Sequence, residues 1–555
     1  MRKPERSTDS AGWHPTRLLL ILAIWLISAG NLPLWQALWR LPETGGARGW
    51  IGALAYGVLA LALLVPLLCL TVWPRWLKPA GVLLMTISTA SSYFMLSYGV
   101  VIDPTMIANV FNTDAREVRD LLSWHMPGAL LVGVVLPGIW WWRVPVRRIG
   151  TRTLLAHQLG VAALACLLGA GTVWLAFQDI ASIMRNHKEL RYMTNPLNSL
   201  YAVARVTLGS TQRAAAAAQS VGSDAQVARA NRPDADAAPL IVVVVGETAR
   251  AANFSLGGYA RDTNPELAAL QATGDLVYFN NVRACGTNTH ASLPCMFSHL
   301  GKAAFEASRQ RQENLLDVLQ HAGLAVLWVD NQSGCKGLCD NVPHVFTRTL
   351  DVPGLCPDGE CYDEVMLHGL DERLAALDPA QRARGVVVVM HQMGSHGPAY
   401  YRRSPPAFKP FLPECTSSAL QECPHDQLVN AYDNTLRYTD HVLAETVKWL
   451  QAKAQPTAMI YVSDHGESLG ESGLYLHGMP YAMAPDEQTR VPMVVWLSAA
   501  MQHAGGLTPA CLRGEAAKPW SHDNLFHSVL GLAGVQTAVY RRPLDLFAAC
   551  LPDAH

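Results

Sequence analysis

Asp464 and His465 stand side by side in Val462-Ser463-Asp464-His465-Gly466-Glu467-Ser468-Leu469-Gly470-Glu471, and His477 follows twelve residues after His465. A carboxylate and an imidazole aimed at one point offer two ligand types that zinc accepts. An isolated Asp-His pair is usually a surface turn. This one follows Ala458-Met459-Ile460-Tyr461-Val462, an apolar run that reads as a buried strand. Two other such runs end in residues of the same kind. Leu240 to Val245 leads into Gly246-Glu247-Thr248, and Val386 to Met390 leads into His391-Gln392-Met393-Gly394-Ser395-His396-Gly397-Pro398. Open α/β sheets gather their sites at the carboxyl ends of strands. Glu247 is therefore a candidate ligand, His396 a candidate to face the site from its turn, and His391 a candidate brace.

A fourth stretch supplies hydroxyls, Cys285-Gly286-Thr287-Asn288-Thr289-His290-Ala291-Ser292-Leu293-Pro294-Cys295. Thr and Ser are weak nucleophiles until a base or a metal lowers the hydroxyl pKa. A helix starting near Thr289 would also turn backbone N–H groups toward a phosphate. The plainer role for Thr289 is helix N-cap.

These stretches need a buried, mostly parallel sheet, which residues 239–555 are composed to build. The first third of the chain is different. Five apolar stretches, about 18–38, 51–72, 79–101, 127–144 and 154–177, each approach the roughly 20 residues that cross a bilayer. The first is read as an anchor, since four more follow it. Arg2, Lys3, Arg6 and Arg17 precede the first stretch. Arg75 and Lys78 lie between the second and third, and Arg143, Arg147, Arg148 and Arg152 between the fourth and fifth. These basic loops share one side, which predicts a cytoplasmic face there and an extracytoplasmic location after about residue 178. Cysteine usage points to the same side. Cys69 and Cys166 sit in apolar runs, whereas ten cysteines lie beyond residue 280. Cys285/Cys295, Cys335/Cys339, Cys356/Cys361 and Cys415/Cys423 read as disulfide pairs, with Cys511/Cys550 as a fifth. A structural zinc at Cys335-x-x-x-Cys339 is the rival, lacking a matching second half.

Residues 1–177 are thus a transmembrane domain with an amphipathic helix at 103–122 on the outer side. Residues 178–238 are a connector, and 239–555 the catalytic domain. Asn109, Thr113 and Glu117 recur every four residues, so a helix would set them on one face. That face is either plain solvated surface or a polar wall for a lipid headgroup. A net charge of −1 over 555 residues gives no reason to expect nucleic acid, and no obligate protein partner is evident.

Together, Gly246-Glu247-Thr248, Cys285 to Ser298, His391 to Pro398 and Ser463 to Glu471 resemble the lipid A phosphoethanolamine transferases, the family of polymyxin (colistin) resistance enzymes. The likeness extends to the five spans, to Asn109/Thr113/Glu117 and to Ser521-His522-Asp523-Asn524-Leu525-Phe526-His527. The resemblance implies an α-helical membrane domain joined to an α/β alkaline-phosphatase-like (sulfatase-like) periplasmic domain, held in the bacterial inner membrane. It implies zinc, one ion with a second as an option, held by Glu247, Thr289, Asp464 and His465, with Thr289 as nucleophile. It implies that His396 and His477 meet the transferred phosphate or the second zinc, and that Lys336 contacts substrate. Asn109, Thr113 and Glu117 fall to the ethanolamine headgroup. Asn288 stands where Ser is more usual, His290 where a small residue is usual, and Gln332 where Asn or Asp often appears; acceptor choice and fine substrate contacts are the properties these departures touch.

The reaction so implied takes phosphoethanolamine from phosphatidylethanolamine to a lipid A phosphate through a phosphothreonine-type intermediate. An alternative keeps the fold and changes the acceptor to a lipopolysaccharide core sugar, or to a periplasmic glycan receiving phosphoglycerol. A plain sulfatase is disfavoured because Thr289-His290-Ala291-Ser292-Leu293 does not match Cys/Ser-x-Pro-x-Arg. A dead scaffold is disfavoured because the implied ligands are all present.

Overall fold

The computed structural model describes residues 12–41, 47–113, 115–121, 123–187, 189–214, 218–227, 238–308 and 310–551. Basic residues Arg2, Lys3 and Arg6 lie outside them, as does most of the stretch from Ala214 to Ala238. The chain forms two compact units, Met1–Ile107 with Leu122–Thr207, and Ala108–Leu121 with Leu208–His555.

The first unit is helical. Five helices are long and apolar enough to cross a membrane: Pro15–Arg40, Trp50–Thr71, Leu77–Tyr98, His125–Arg143 and Thr151–Gln178. Leu18, Leu22 and Leu26 pack with Leu64, Leu68 and Trp141 in an apolar seam. Leu167, Trp174 and Leu175 on the last helix face outward and are exposed, the pattern expected where the surrounding solvent is lipid. The chain is a multi-pass membrane protein.

The second unit opens with part of the predicted 103–122 helix, and here the structure differs. Two helices form, α1 (Pro104–Asn112) and α2 (Ala115–Leu121). The Thr113 hydroxyl donates to Asn109 O at 2.8 Å, and its N–H goes to Val110 O at 3.3 Å. The side chain takes the carbonyl that a continuing helix would use, which is how Thr and Asn end helices. Asn109, Thr113 and Glu117 therefore do not share one continuous helical face. Glu117 belongs to α2, and its side chain lies outside the described residues.

An eight-stranded sheet organises the rest. Its strands in chain order are β1 (Leu240–Gly246), β2 (Leu276–Arg283), β3 (Ala325–Asp330), β4 (His344–Phe346), β5 (Val386–His391), β6 (Thr457–Ser463), β7 (Arg490–Leu497) and β8 (Trp520–Ser521), arranged β8-β2-β7-β6-β1-β5-β3-β4. β7 is antiparallel to both neighbours, and the other pairings are parallel. Every residue of β1, β5 and β6 is buried. That explains their apolar runs, rich in valine in β1 and β5, since a strand covered on both faces has no polar side to show. Ile241, Val243 and Val245 share a core with Val389, Ile460, Leu293 and Leu316.

Register sets the site. Gly246 lies opposite Ser463, Val245 opposite His391, and His391 opposite Asp330. The carboxyl ends of β6, β1, β5 and β3 thus deliver Asp464, Glu247, His391 and Asp330 to one edge. All ten late cysteines pair, as Cys285–Cys295, Cys335–Cys339, Cys356–Cys361, Cys415–Cys423 and Cys511–Cys550. Cys335 and Cys339 are therefore not zinc ligands. Cys69 and Cys166 are free.

Candidate active site

Thr289 is the first residue of helix α3 (Thr289–Met296). The cap is its neighbour. The Asn288 side chain accepts from Ala291 N at 2.9 Å, so the capping role considered for Thr289 belongs to Asn288. The Thr289 hydroxyl is left to face the strand ends. It lies 3.1 Å from Glu247 Oε2, 3.3 Å from Glu247 Oε1 and 3.4 Å from His465 Nε2.

Glu247, Asp464 and His465 place ligand atoms within 4.8 Å of one another, all buried. His465 Nε2 is 3.3 Å from Glu247 Oε1 and 3.4 Å from Asp464 Oδ2. Its Nδ1 sits 2.9 Å from Gly466 O, so Nδ1 carries the proton and Nε2 is presented to the carboxylates. Asp464 Oδ1 accepts from Thr248 N and His465 N, at 3.2 and 2.8 Å. Asp464 Oδ2 is buried with no hydrogen-bond partner among the described residues. Burial, then the Asp464 charge, raises the Glu247 carboxyl above its ordinary range. Burial alone would lower His465, but Asp464 and Glu247 outweigh it and push it up to about 9. Two buried carboxylates, an imidazole nitrogen and a hydroxyl converging around an orphaned oxygen make a hard-to-bury set unless a cation joins it. The residues fit a zinc ion.

The backbone is bent to make this set. Thr248 takes φ 53°, a left-handed value that costs a β-branched residue energy. That turn aims its N–H at Asp464. Gly394 takes φ 52°, and a Cβ there would lie 2.7 Å from Glu247 O. Only glycine lets the His396 loop approach so closely.

His477 and His396 line a second wall. The His477 ring centroid is 4.3 Å from that of His465 and 5.7 Å from that of His396. His477 Nδ1 is 3.0 Å from Glu467 Oε2, and Tyr400 donates to Glu467 Oε1 at 3.0 Å. Burial holds both His396 and His477 well below the ordinary imidazole value, with neighbouring histidines adding to it for each. His396 Nδ1 has no hydrogen-bond partner among the described residues. Lys336 sits in the loop closed by Cys335–Cys339. It donates to Ser333 Oγ at 2.8 Å and lies 3.4 Å from Asn112 O, next to Thr113. Gln332, one of the unusual residues, is buried and accepts from Ser333 N.

Further residues support the site from behind. His391 braces the site, as its position allowed. Its Nδ1 lies 3.0 Å from Asp330 Oδ2, and its Nε2 3.9 Å from Glu247 Oε2. His522, in the late run noted only through the resemblance, stitches the loop before α3 to β6. Its Nδ1 accepts from Cys285 N at 3.0 Å and its Nε2 donates to Ser463 O at 2.9 Å. Burial takes its pKa down to about 3, so it stays neutral. Ser292, one turn beyond Thr289, donates to Asp464 O and lies 3.2 Å from His522 Nδ1. It is a strut, with its hydroxyl already used.

Comparison with known proteins agrees with this fold. Residues 239–535 match the sulfatase family, and residues 58–210 match the family described as phosphoethanolamine transferase EptA/EptB. Phosphoethanolamine transferase EptA of Salmonella typhimurium is 39% identical over 542 residues, 96% of each chain. Phosphatidylethanolamine transferase Mcr-1 of Escherichia coli is 37% identical, across 87% of this chain and 89% of that one. Among solved structures, the integral membrane lipooligosaccharide phosphoethanolamine transferase A from Neisseria meningitidis superposes with a TM-score of 0.91 at 34% identity, across 97% of this chain and 99% of that one. With relatives this similar over nearly its whole length, the chain belongs to the EptA/EptB phosphoethanolamine transferase family.

Proposed function

We propose that this chain is a zinc-dependent lipid A phosphoethanolamine transferase of the bacterial inner membrane, its catalytic unit in the periplasm, working through a covalent phosphoethanolamine–Thr289 intermediate. The observation that carries this reading is the Thr289 hydroxyl, 3.1 Å from Glu247 Oε2 and 3.4 Å from His465 Nε2. The names of the relatives support the transferred group, and the lipooligosaccharide enzyme supports the acceptor class.

Glu247, Thr289, Asp464 and His465 would hold the zinc, which lowers the pKa of a bound hydroxyl toward neutrality. Thr289 Oγ1 attacks the phosphorus of phosphatidylethanolamine as its proton moves off along the hydrogen bond to Glu247. The Oγ–P bond forms, the P–O bond to glycerol breaks, and diacylglycerol leaves after taking up a proton. His396 and His477, both neutral, meet the phosphate oxygens, with the His477 ring held by Glu467. Lys336 adds positive charge beside them. Asn109, Thr113 and Glu117 contact the donor's ethanolamine end. An oxygen of a lipid A phosphate then attacks the same phosphorus, the Oγ–P bond breaks, and Thr289 regains its proton. Two half-reactions let one site serve two bulky lipids in turn. Each transfer places an amine over an anionic phosphate, so polymyxin and similar polycations should bind the modified surface less.

Mass spectrometry of lipid A from cells with and without the protein tests the reading. The expected result is one added phosphoethanolamine on a lipid A phosphate. The group found on a core sugar would move the acceptor to the alternative, and unmodified lipid A and core would reject the assignment.

A further inference from the structure

We propose that Asp120 and Arg403 form a positioning clamp that fixes the segment Ala108–Leu121 against the His396 loop and so helps seat the donor lipid; this rests on the donor assignment made above. In α2, Val118 and Arg119 are exposed, whereas Asp120 is only 7% exposed. A carboxylate that is buried beside exposed neighbours on a short helix is buried only at a cost, which falls when the charge is paired and hydrogen-bonded. Asp120 is doubly paired. Its Oδ2 accepts from Arg403 at 3.1 Å and its Oδ1 from Arg402 at 3.3 Å.

Arg403 does more than neutralise it. The guanidinium, itself 7% exposed, donates through Nε to His396 O at 2.9 Å and through a terminal nitrogen to Glu360 Oε2 at 3.0 Å. Glu360 lies within the loop closed by Cys356–Cys361. A planar fork with donors in fixed directions suits this work, which a lysine could not reproduce. One guanidinium thus reads the position of α2 and holds the backbone of a histidine on the phosphate wall. The segment meets the catalytic unit again near the end of α1, where Lys336 Nζ lies 3.4 Å from Asn112 O. Thr113, assigned to the donor's ethanolamine, lies between these two attachments, and Asn109 one turn before them. The sequence offers no hint of this, because an Asp and an Arg some 280 positions apart carry no mutual register.

The test uses the full-length protein in detergent micelles with phosphatidylethanolamine as donor, comparing wild type, Asp120→Asn, Asp120→Glu and Arg403→Lys. Thermal denaturation confirms folding of each. The expected result is a KM for phosphatidylethanolamine raised about tenfold in Asp120→Asn and Arg403→Lys, with kcat within about threefold. Asp120→Glu, which keeps the charge, should recover most of the loss. The KM for a small soluble phosphoethanolamine diester should rise far less. Equal losses with both donors, a loss confined to kcat, or wild-type KM in Asp120→Asn would each overturn the clamp. A variant too unstable to assay leaves the decision to Asp120→Glu, whose failure to recover donor KM would also overturn it. Wild-type enzyme silent on phosphatidylethanolamine but active on the small diester would instead remove the donor assignment, and the clamp with it.

Discussion

The site has two walls built in different ways, and the histidines report the difference. On one wall, Glu247, Asp464 and His465 follow directly from β1 and β6, whose register is locked by parallel pairing. His465 lies against two carboxylates and is pushed up to about 9. On the other wall, His396 and His477 sit on loops, and burial with neighbouring positive charge pushes them down. One side chain type is thus driven in opposite directions within one cleft. The first wall concentrates negative charge and suits a cation. The second stays neutral or positive, and suits the oxygens of a phosphate. The comparison teaches that backbone register makes the cation wall, whereas side-chain struts such as Glu467, Tyr400 and Arg403 make the phosphate wall.

The largest effect should come from the hydroxyl between the walls. Thr289→Ala is expected to lower transfer by a factor of a thousand or more, while the melting temperature changes little, because Asn288 provides the cap. Intact-protein mass measured with donor alone should show one added phosphoethanolamine on wild type and none on the variant. A folded Thr289→Ala protein with near-normal transfer would sink the covalent route.

Next comes the cation wall. Added zinc should raise the melting temperature of metal-stripped wild-type protein, since a ligand bound only by the folded state stabilises it by about 2.7 kcal/mol at a hundred times its dissociation constant. Asp464→Asn removes the charge of a proposed ligand, and should abolish both this zinc-dependent shift and transfer. Retention of the shift at unchanged zinc affinity would exclude Asp464 from the metal set.

The phosphate wall should break more gently. Glu467→Gln leaves an amide beside His477 but weakens the interaction that holds the ring, so a loss of about 10–100-fold in transfer is expected, as for other partners of site histidines. Zinc binding should survive within a few-fold. Complete loss of zinc in Glu467→Gln would erase the distinction between the walls.

The same division explains what could be read from the sequence. Leu240–Val245, Val386–Met390 and Ala458–Val462 announce buried strands by composition, and the residues that follow them, Glu247, His391 and Asp464, inherit their place from the strand ends. The membrane helices and the close cysteine pairs were legible for similar reasons, being local patterns. The struts were not. His522 reaches Ser463 across 59 positions and Cys285 across 237, and Asp120 reaches Arg403 across 283, and nothing local marks such a partner. The four-residue period of Asn109, Thr113 and Glu117 suggests one helix over 103–122, whereas the chain forms Pro104–Asn112 and Ala115–Leu121, with the Thr113 hydroxyl taking the Asn109 carbonyl between them.

The smallest effect, and the one that separates architecture from chemistry most finely, concerns Asn288. Its side-chain oxygen caps α3 through Ala291 N, while its Nδ2 is buried without a hydrogen-bond partner among the described residues. Asn288→Ala removes both functions. Loss of the cap costs about 1 kcal/mol, which corresponds to about 2–4 °C in a domain of 150–250 residues and less in a larger one. Asn288→Ser divides the two, because serine caps as well as asparagine does and has no amide to donate. If Asn288 serves only the helix, Asn288→Ser should keep the wild-type melting temperature and transfer within about twofold, and Asn288→Ala should lose a little of each as the Thr289 hydroxyl is held less firmly. A serine variant of full stability that transfers ten times more slowly would mean that the amide touches the phosphate, and would move Asn288 from the scaffold into the phosphate wall.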